Sequence, residues 1–157
     1  MAASSLLDLL PEESVRLDAQ AQTWQDAVRL AGDLLTGSGA TTPAYTDEMI
    51  NAIETLGPYV VLAPGLALAH ARPSPAVRRT GLSWVTLAEP VAFGHATNDP
   101  VRLIVGLAGL DHDGPVAALS QLAVLLADQD HHDALLAAAS PARLRELLSS
   151  LGGNEQP

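Results

Sequence analysis

His70 closes an apolar run, Val60 to Ala69, and Arg72 follows two residues later. A neutral imidazole is a competent nucleophile and can carry a phosphoryl group as a labile phosphoramidate. Such transfer asks the protein mainly for in-line positioning and for charge set against the phosphoryl oxygens. An arginine supplies that charge through a planar fork of donors. The surroundings fit an anion site. The formal net charge is −10, yet no Asp or Glu occurs between Glu54 and Glu89, and Arg72, Arg78 and Arg79 all fall in that window. A plainer reading stands beside this one. Buried strands exclude charge of either sign, so an acid-free window is also what a central sheet looks like, with His70 a satisfied structural histidine. That reading accounts for Val60 to Ala69 and not for the arginines.

Other histidines are weaker candidates. His95 follows Phe93-Gly94 and reads either as an exposed loop residue or as a second group lining the His70 site. His112 lies between Asp111 and Asp113, and His131-His132 lies between Asp130 and Asp133. Imidazole and carboxylate suit zinc or manganese, but the spacing matches no compact ligand pattern. Adjacent His131 and His132 on a helix would point about 100° apart. No metal is expected. There is no cysteine, hence no disulfide and no thiolate nucleophile. Neither a Gly-x-x-x-x-Gly-Lys loop nor a Gly-x-Ser-x-Gly elbow occurs, so no bound nucleotide is expected as donor. A phosphoryl group on His70 would come from another protein, without a cofactor.

The elements that must position these residues follow the hydrophobic pattern. Ser14 to Asp18 alternates and reads as a first strand with Val15 and Leu17 inward. Leu6 to Leu10 before it is a short helix or an apolar lead-in. Thr23 reads as an N-cap, with Trp24, Ala27, Val28, Ala31, Leu34 and Leu35 as one apolar stripe, stopped by Gly37-Ser38-Gly39. Thr42-Pro43 starts a second helix that buries Tyr45, Met49, Ala52, Ile53 and Leu56, ended by Gly57-Pro58. Two short strands, Val60 to Leu62 and Leu66 to Ala69, are split by Pro64-Gly65, which leaves His70 at a strand end. Gly81 to Leu87 is a strand, Glu89 to His95 a turn-rich connection, and Val101 to Leu110 a central strand. A loop from Asp111 to Pro115 leads to a helix burying Val116, Leu119, Leu122, Ala123 and Leu126. A short helix around His132 to Ala138 and a last one packing Leu144, Leu147 and Leu148 complete the chain, with a frayed tail from Gly152. The class is α/β or α+β, a mixed sheet flanked by helices, as one domain over 1–157 with its core at about 15–148. At 157 residues and without a long apolar stretch or a basic leader, the expected compartment is the cytoplasm. The acidic balance argues against nucleic acid.

The segment Gly57-Pro58-Tyr59-Val60-Val61-Leu62-Ala63-Pro64-Gly65-Leu66-Ala67-Leu68-Ala69-His70-Ala71-Arg72-Pro73 closely resembles the active-site segment of type-2 IIA components of the bacterial phosphoenolpyruvate:sugar phosphotransferase system. That superfamily spans mannitol, fructose, nitrogen-regulatory and ascorbate types. The likeness extends through Trp24-Gln25-Asp26-Ala27, Thr42-Pro43-Ala44-Tyr45, Pro90 to His95 and Asn98-Asp99-Pro100-Val101, and the details are most similar to the ascorbate branch. The resemblance implies a mixed sheet with helices on both faces. It implies that His70 accepts a phosphoryl group from HPr and passes it to a IIB component, which phosphorylates sugar during uptake through IIC. Three positions depart from the pattern. Ala69 stands where the family usually has proline. Ala52 stands where mannitol- and fructose-like members carry an arginine, and Pro115 where many carry a second histidine, with His112 three residues earlier. Arg72, His95 and His112 are the candidate phosphate stabilisers. Leu66, Leu68 and the loop around Phe93 are candidate docking residues. The alternative is a regulatory module whose phosphorylation state is read by a partner without sugar transport. The sugar and the oligomeric state, a homodimer included, are left open.

Overall fold

The computed structural model describes residues 6–110 and 116–153. Its elements in chain order are α1 (Leu6–Leu9), β1 (Val15–Ala19), α2 (Trp24–Gly37), α3 (Pro43–Leu56), β2 (Val61–Ala63), β3 (Leu66–Ala69), β4 (Gly81–Val91), β5 (Val101–Ala108), α4 (Val116–Ala127), α5 (Gln129–Leu136) and α6 (Pro141–Gly153). The five strands form one sheet in the order β1-β4-β5-β3-β2. Pairing is mixed: β1 with β4 and β3 with β5 run parallel, while β4 with β5 and β2 with β3 run antiparallel. The strand expected to be central, β5, is the middle one.

Strand alternation divides the apolar residues between two faces. On β4 and β5, Val85, Leu87 and Ile104 join a core built from Ala27, Val28, Ala31 and Leu35 of α2 and Tyr45, Met49 and Ile53 of α3. Leu82, Trp84, Leu103, Val105 and Leu107 point to the other face, against Leu6, Leu9, Leu122, Leu125, Leu135, Leu144 and Leu148. Helices therefore cover both faces, as the resemblance implies.

Local chemistry sets the element ends. Thr23 Oγ1 accepts the Asp26 N–H at 3.2 Å, an N-cap bond of the kind that contributes about 1 kcal/mol. Pro43 occupies the first turn of α3, where its missing N–H costs nothing. Gly57 ends α3 at φ 87°, a left-handed conformation that favours glycine. The chain then reverses through Pro58, whose carbonyl accepts the Val61 N–H at 3.1 Å.

Several expectations need correction. β4 runs on through Glu89 and Pro90 to Val91, with its register against β5 shifting between Thr86 and Val91. Proline fits here because the shift interrupts the ladder. Leu56, the last residue of α3, is 68% exposed, because Ile53 is the last α3 residue in the core and the helix ends within a turn of it. Ala123 is exposed and Leu125 takes its place in the core, a rotation of the buried stripe of α4. α5 starts at Gln129, capped by Asp128, whose side chain accepts the His131 N–H at 3.1 Å. Gly152 and Gly153 belong to α6, and residues 154–157 lie outside the described part.

The α2–α3 contact is close at one point. A Cβ added at Gly32 would overlap the buried Thr46 side chain of α3. We therefore expect Gly32→Ala to lower unfolding free energy by about 1–3 kcal/mol, as overpacking does, measured by urea unfolding. An unchanged midpoint would show that α3 shifts away at no cost.

Candidate functional site

The parallel β3–β5 pair decides which residues meet His70. Its register runs from Leu66 beside Leu103 to Ala69 beside Gly106, so His70 lies at the end of the sheet where β5 finishes. Three links fix the chain there. The Tyr45 hydroxyl, on α3, donates to the Leu107 carbonyl at 2.8 Å, with the Ala71 carbonyl at 3.2 Å as a second acceptor. The same oxygen accepts the Ala71 N–H at 3.0 Å. The Tyr59 hydroxyl donates to the His70 carbonyl at 2.8 Å.

The imidazole itself is oriented by its own strand. His70 Nδ1 lies 2.7 Å from the Leu68 carbonyl oxygen. A carbonyl only accepts, so Nδ1 carries the hydrogen, and the lone pair available for chemistry is on Nε2. The rings of Tyr59 and His70 meet edge to face at 79°, centroids 5.2 Å apart. This is a favoured aromatic geometry.

His70 opens into a cavity of about 530 Å³ bordered by α3 and by the chain after β3, with Asn51, Ala52, Tyr59, Arg72 and Ser74 among its lining residues. Arg72 is exposed, and no hydrogen bond or ion pair holds its guanidinium among the described residues. Ser74 Oγ donates to Glu48 Oε1 at 2.7 Å and accepts the Ala76 N–H at 3.1 Å, which fixes the turn after Arg72. Ala52, the position where mannitol- and fructose-like members carry arginine, is in the wall of this cavity.

Of the four residues singled out in the sequence, His70 and Arg72 share the cavity. His95 does not. It sits in the loop before β5, at the opposite end of the β3–β5 pair, where the Gly65 N–H donates to Asn98 O at 3.0 Å. There it organises its own loop: Nδ1 accepts the N–H groups of Asn98 at 3.0 Å and Thr97 at 3.2 Å. Asp99 completes that loop by accepting the N–H groups of Phe93, Gly94 and His95. Phe93 is buried against Trp24 and offers no docking surface, while Leu66 and Leu68 pack partly against the core. His112 lies outside the described residues. The sequence reading missed Tyr59 and the tethering role of Tyr45. A tyrosine just after a Gly-Pro turn, eleven residues before the histidine, was the available signal for the first. Among the described residues, no group of three His, Asp or Glu side chains is placed to hold a metal.

A mixed sheet with helices on both faces, and a strand-end histidine in a cavity that an arginine also lines, define a class of histidine-bearing α/β domains. The match to known proteins narrows that class. Residues 8–151 match the family model of the phosphoenolpyruvate-dependent sugar phosphotransferase system, EIIA 2, and the chain belongs to that family. It is 39% identical over 145 residues to the ascorbate-specific PTS system EIIA component of Shigella boydii, covering 91% of this chain and 94% of that one. Among solved structures it is similar to the mannitol-specific cryptic phosphotransferase enzyme IIA CmtB of Escherichia coli, with a TM-score of 0.81 and 31% identity over 94% of this chain and 99% of that one. It is also similar to the Escherichia coli mannitol enzyme IIA solved in complex with phosphorylated enzyme IIB, with a TM-score of 0.78 and 27% identity over 90% and 99% of the two chains. Among the described residues no helix is long and apolar enough to cross a membrane.

Burial raises the Tyr45 hydroxyl pKa from 10.0 to about 12, against a smaller opposing effect from the Ala71 hydrogen bond. The folded value lies above the unfolded one, so the stabilisation is complete below pH 10 and is lost as pH rises toward 12. The loss is about 3 kcal/mol at most, at 1.36 kcal/mol per pKa unit. Urea unfolding at pH 9 and 11.5 should show a steeper loss for the native protein than for Tyr45→Phe. Equal losses would mean that the Tyr45 hydroxyl has the same pKa folded and unfolded.

Proposed function

We propose that this protein is a phosphocarrier in which His70 Nε2 accepts a phosphoryl group from phosphorylated HPr and passes it to a IIB component. The carrying observation is the 2.7 Å contact between His70 Nδ1 and the Leu68 carbonyl, which leaves the nucleophilic lone pair on Nε2. In the forward step the Nε2 lone pair forms the new P–N bond as the donor's bond to phosphorus breaks, and the donor keeps that electron pair. The Nδ1 hydrogen stays on His70, and its bond to Leu68 O disperses the positive charge that develops on the ring. Arg72, on the rim of the same cavity, takes up negative charge on the transferring oxygens. Its exposure lets it follow the phosphoryl group between the incoming and the bound positions.

The family membership and the solved IIA–IIB complex of a relative support IIB as the acceptor. The likeness to ascorbate-specific components supports ascorbate or a related sugar acid as the transported compound. His112 follows β5, the strand that ends beside His70, and is retained as a second phosphate-stabilising group. His95 is not, given its place at the far end of the pair. The whole chain acts as one carrier domain without a cofactor, in the cytoplasm with its soluble partners.

Intact mass after incubation with phosphoenolpyruvate, Enzyme I and HPr should show one acid-labile phosphoryl group on the native protein and none on His70→Ala. Labelling of His70→Ala would place the acceptor elsewhere. Arg72→Ala should slow uptake about 10-fold, a barrier rise of about 1.4 kcal/mol, in rapid-quench measurements. Uptake at the native rate would remove Arg72 from the mechanism. Discharge of the purified phosphoprotein onto a IIB domain separates a carrier from a module that is only read by a regulatory partner.

A further inference from the structure

We infer that Tyr59 is the positioning residue of this site: it clamps His70 so that the imidazole stays in the Nδ1–H form with Nε2 free to react. The inference rests on the reading of His70 as the phosphoryl acceptor. Two independent contacts carry it. The Tyr59 hydroxyl donates to the His70 carbonyl at 2.8 Å, which fixes the backbone of the residue itself. The Tyr59 ring meets the imidazole edge to face, centroids 5.2 Å apart, which restricts rotation of the ring. Together they hold the geometry in which Nδ1 reaches Leu68 O at 2.7 Å.

The clamp matters because this site holds its histidine at a strand terminus. β3 stops at Ala69, so no ladder bond follows to fix residue 70. In water the imidazole of histidine favours the opposite tautomer, with hydrogen on Nε2 and no lone pair there to attack phosphorus. A site that relies on Nε2 must hold the less favoured form. Tyr59 is well placed to do so because its own position is fixed from both sides. The glycine turn at Gly57 delivers it, its N–H donates to Gly57 O at 2.8 Å, and Val60 beside it is buried. Partial burial raises the Tyr59 pKa, so its hydroxyl remains a donor at neutral pH.

The test uses the full chain labelled with 15N-histidine, with the His70 signal assigned by its loss in His70→Ala. The native protein should show the Nδ1–H pattern at His70. Tyr59→Leu, which removes both contacts, should move the signal toward the Nε2–H pattern. Single-turnover uptake from saturating phospho-HPr should fall about 10-fold in Tyr59→Phe and about 100-fold in Tyr59→Leu, the scale on which misplacement of a reacting group acts. The half-saturating donor concentration should stay the same, which a docking role would not allow. A native His70 signal in folded Tyr59→Leu, or a slower uptake due wholly to weaker donor binding, overturns the inference. Should Tyr59→Leu fail to fold, Tyr59→Phe decides by rate alone, since it keeps the ring and loses only the carbonyl bond: a native rate overturns the clamp. If the native protein takes up no phosphoryl group, the acceptor reading fails by itself, and the tautomer spectra still decide whether Tyr59 clamps His70.

Discussion

One hydroxyl group joins the pieces on which this site depends. The Tyr45 oxygen comes from α3, accepts the Ala71 N–H after β3 and donates to Leu107 on β5. Helix, the segment that carries His70 and the central strand therefore meet at a single buried atom, in a residue that is 1% exposed. Burying a hydroxyl without partners would cost several kcal/mol, so the oxygen is stable there only while both strands keep their places. The parallel register of β3 against β5 and the position of His70 are thus one constraint rather than two.

That constraint also explains the distribution of charge. The end of β3, the start of β4 at Gly81 and the end of β5 at Ala108 lie together, because β4 runs antiparallel to β5 with Gly81 opposite Ala108. The chain that connects β3 to β4 holds Arg72, Arg78 and Arg79, all exposed. The acid-free stretch of sequence therefore has two kinds of part. Its strands, above all β4 with Gly81 to Leu87 all buried, exclude charge because burial penalises it. The connection between β3 and β4 lies at the same end of the sheet as His70 and carries the three arginines at the surface.

Much of this was legible in the sequence. The Thr23 cap, the Pro43 start and the Gly57-Pro58 stop are local chemistry, and local chemistry decided those boundaries. His70 was legible because its position at a strand end follows from the Pro64-Gly65 turn and the apolar run. The failures came where distant residues decide. Leu56 fits the helical stripe of α3, but whether a stripe is buried depends on what packs against it, and the core reaches only as far as Ile53. Phe93 looked exposed because its neighbours are Gly94 and His95, yet Trp24, far away in sequence, covers it. For His95 the sequence leaves two places open, an exposed loop or the His70 site, and the register of a parallel pair puts the two histidines at opposite ends. Tyr59 went unnoticed because a hydroxyl's acceptor is a backbone oxygen, and no residue type in the sequence announces one.

The bond from His70 Nδ1 to Leu68 O spans only two residues of chain. On the proposed reading of His70 as phosphoryl acceptor, an orientation set so close by, and held by Tyr59, would let Nε2 gain or lose its group without moving the helices on the far face of the sheet. A partner would then tell the two forms apart by touch at the histidine.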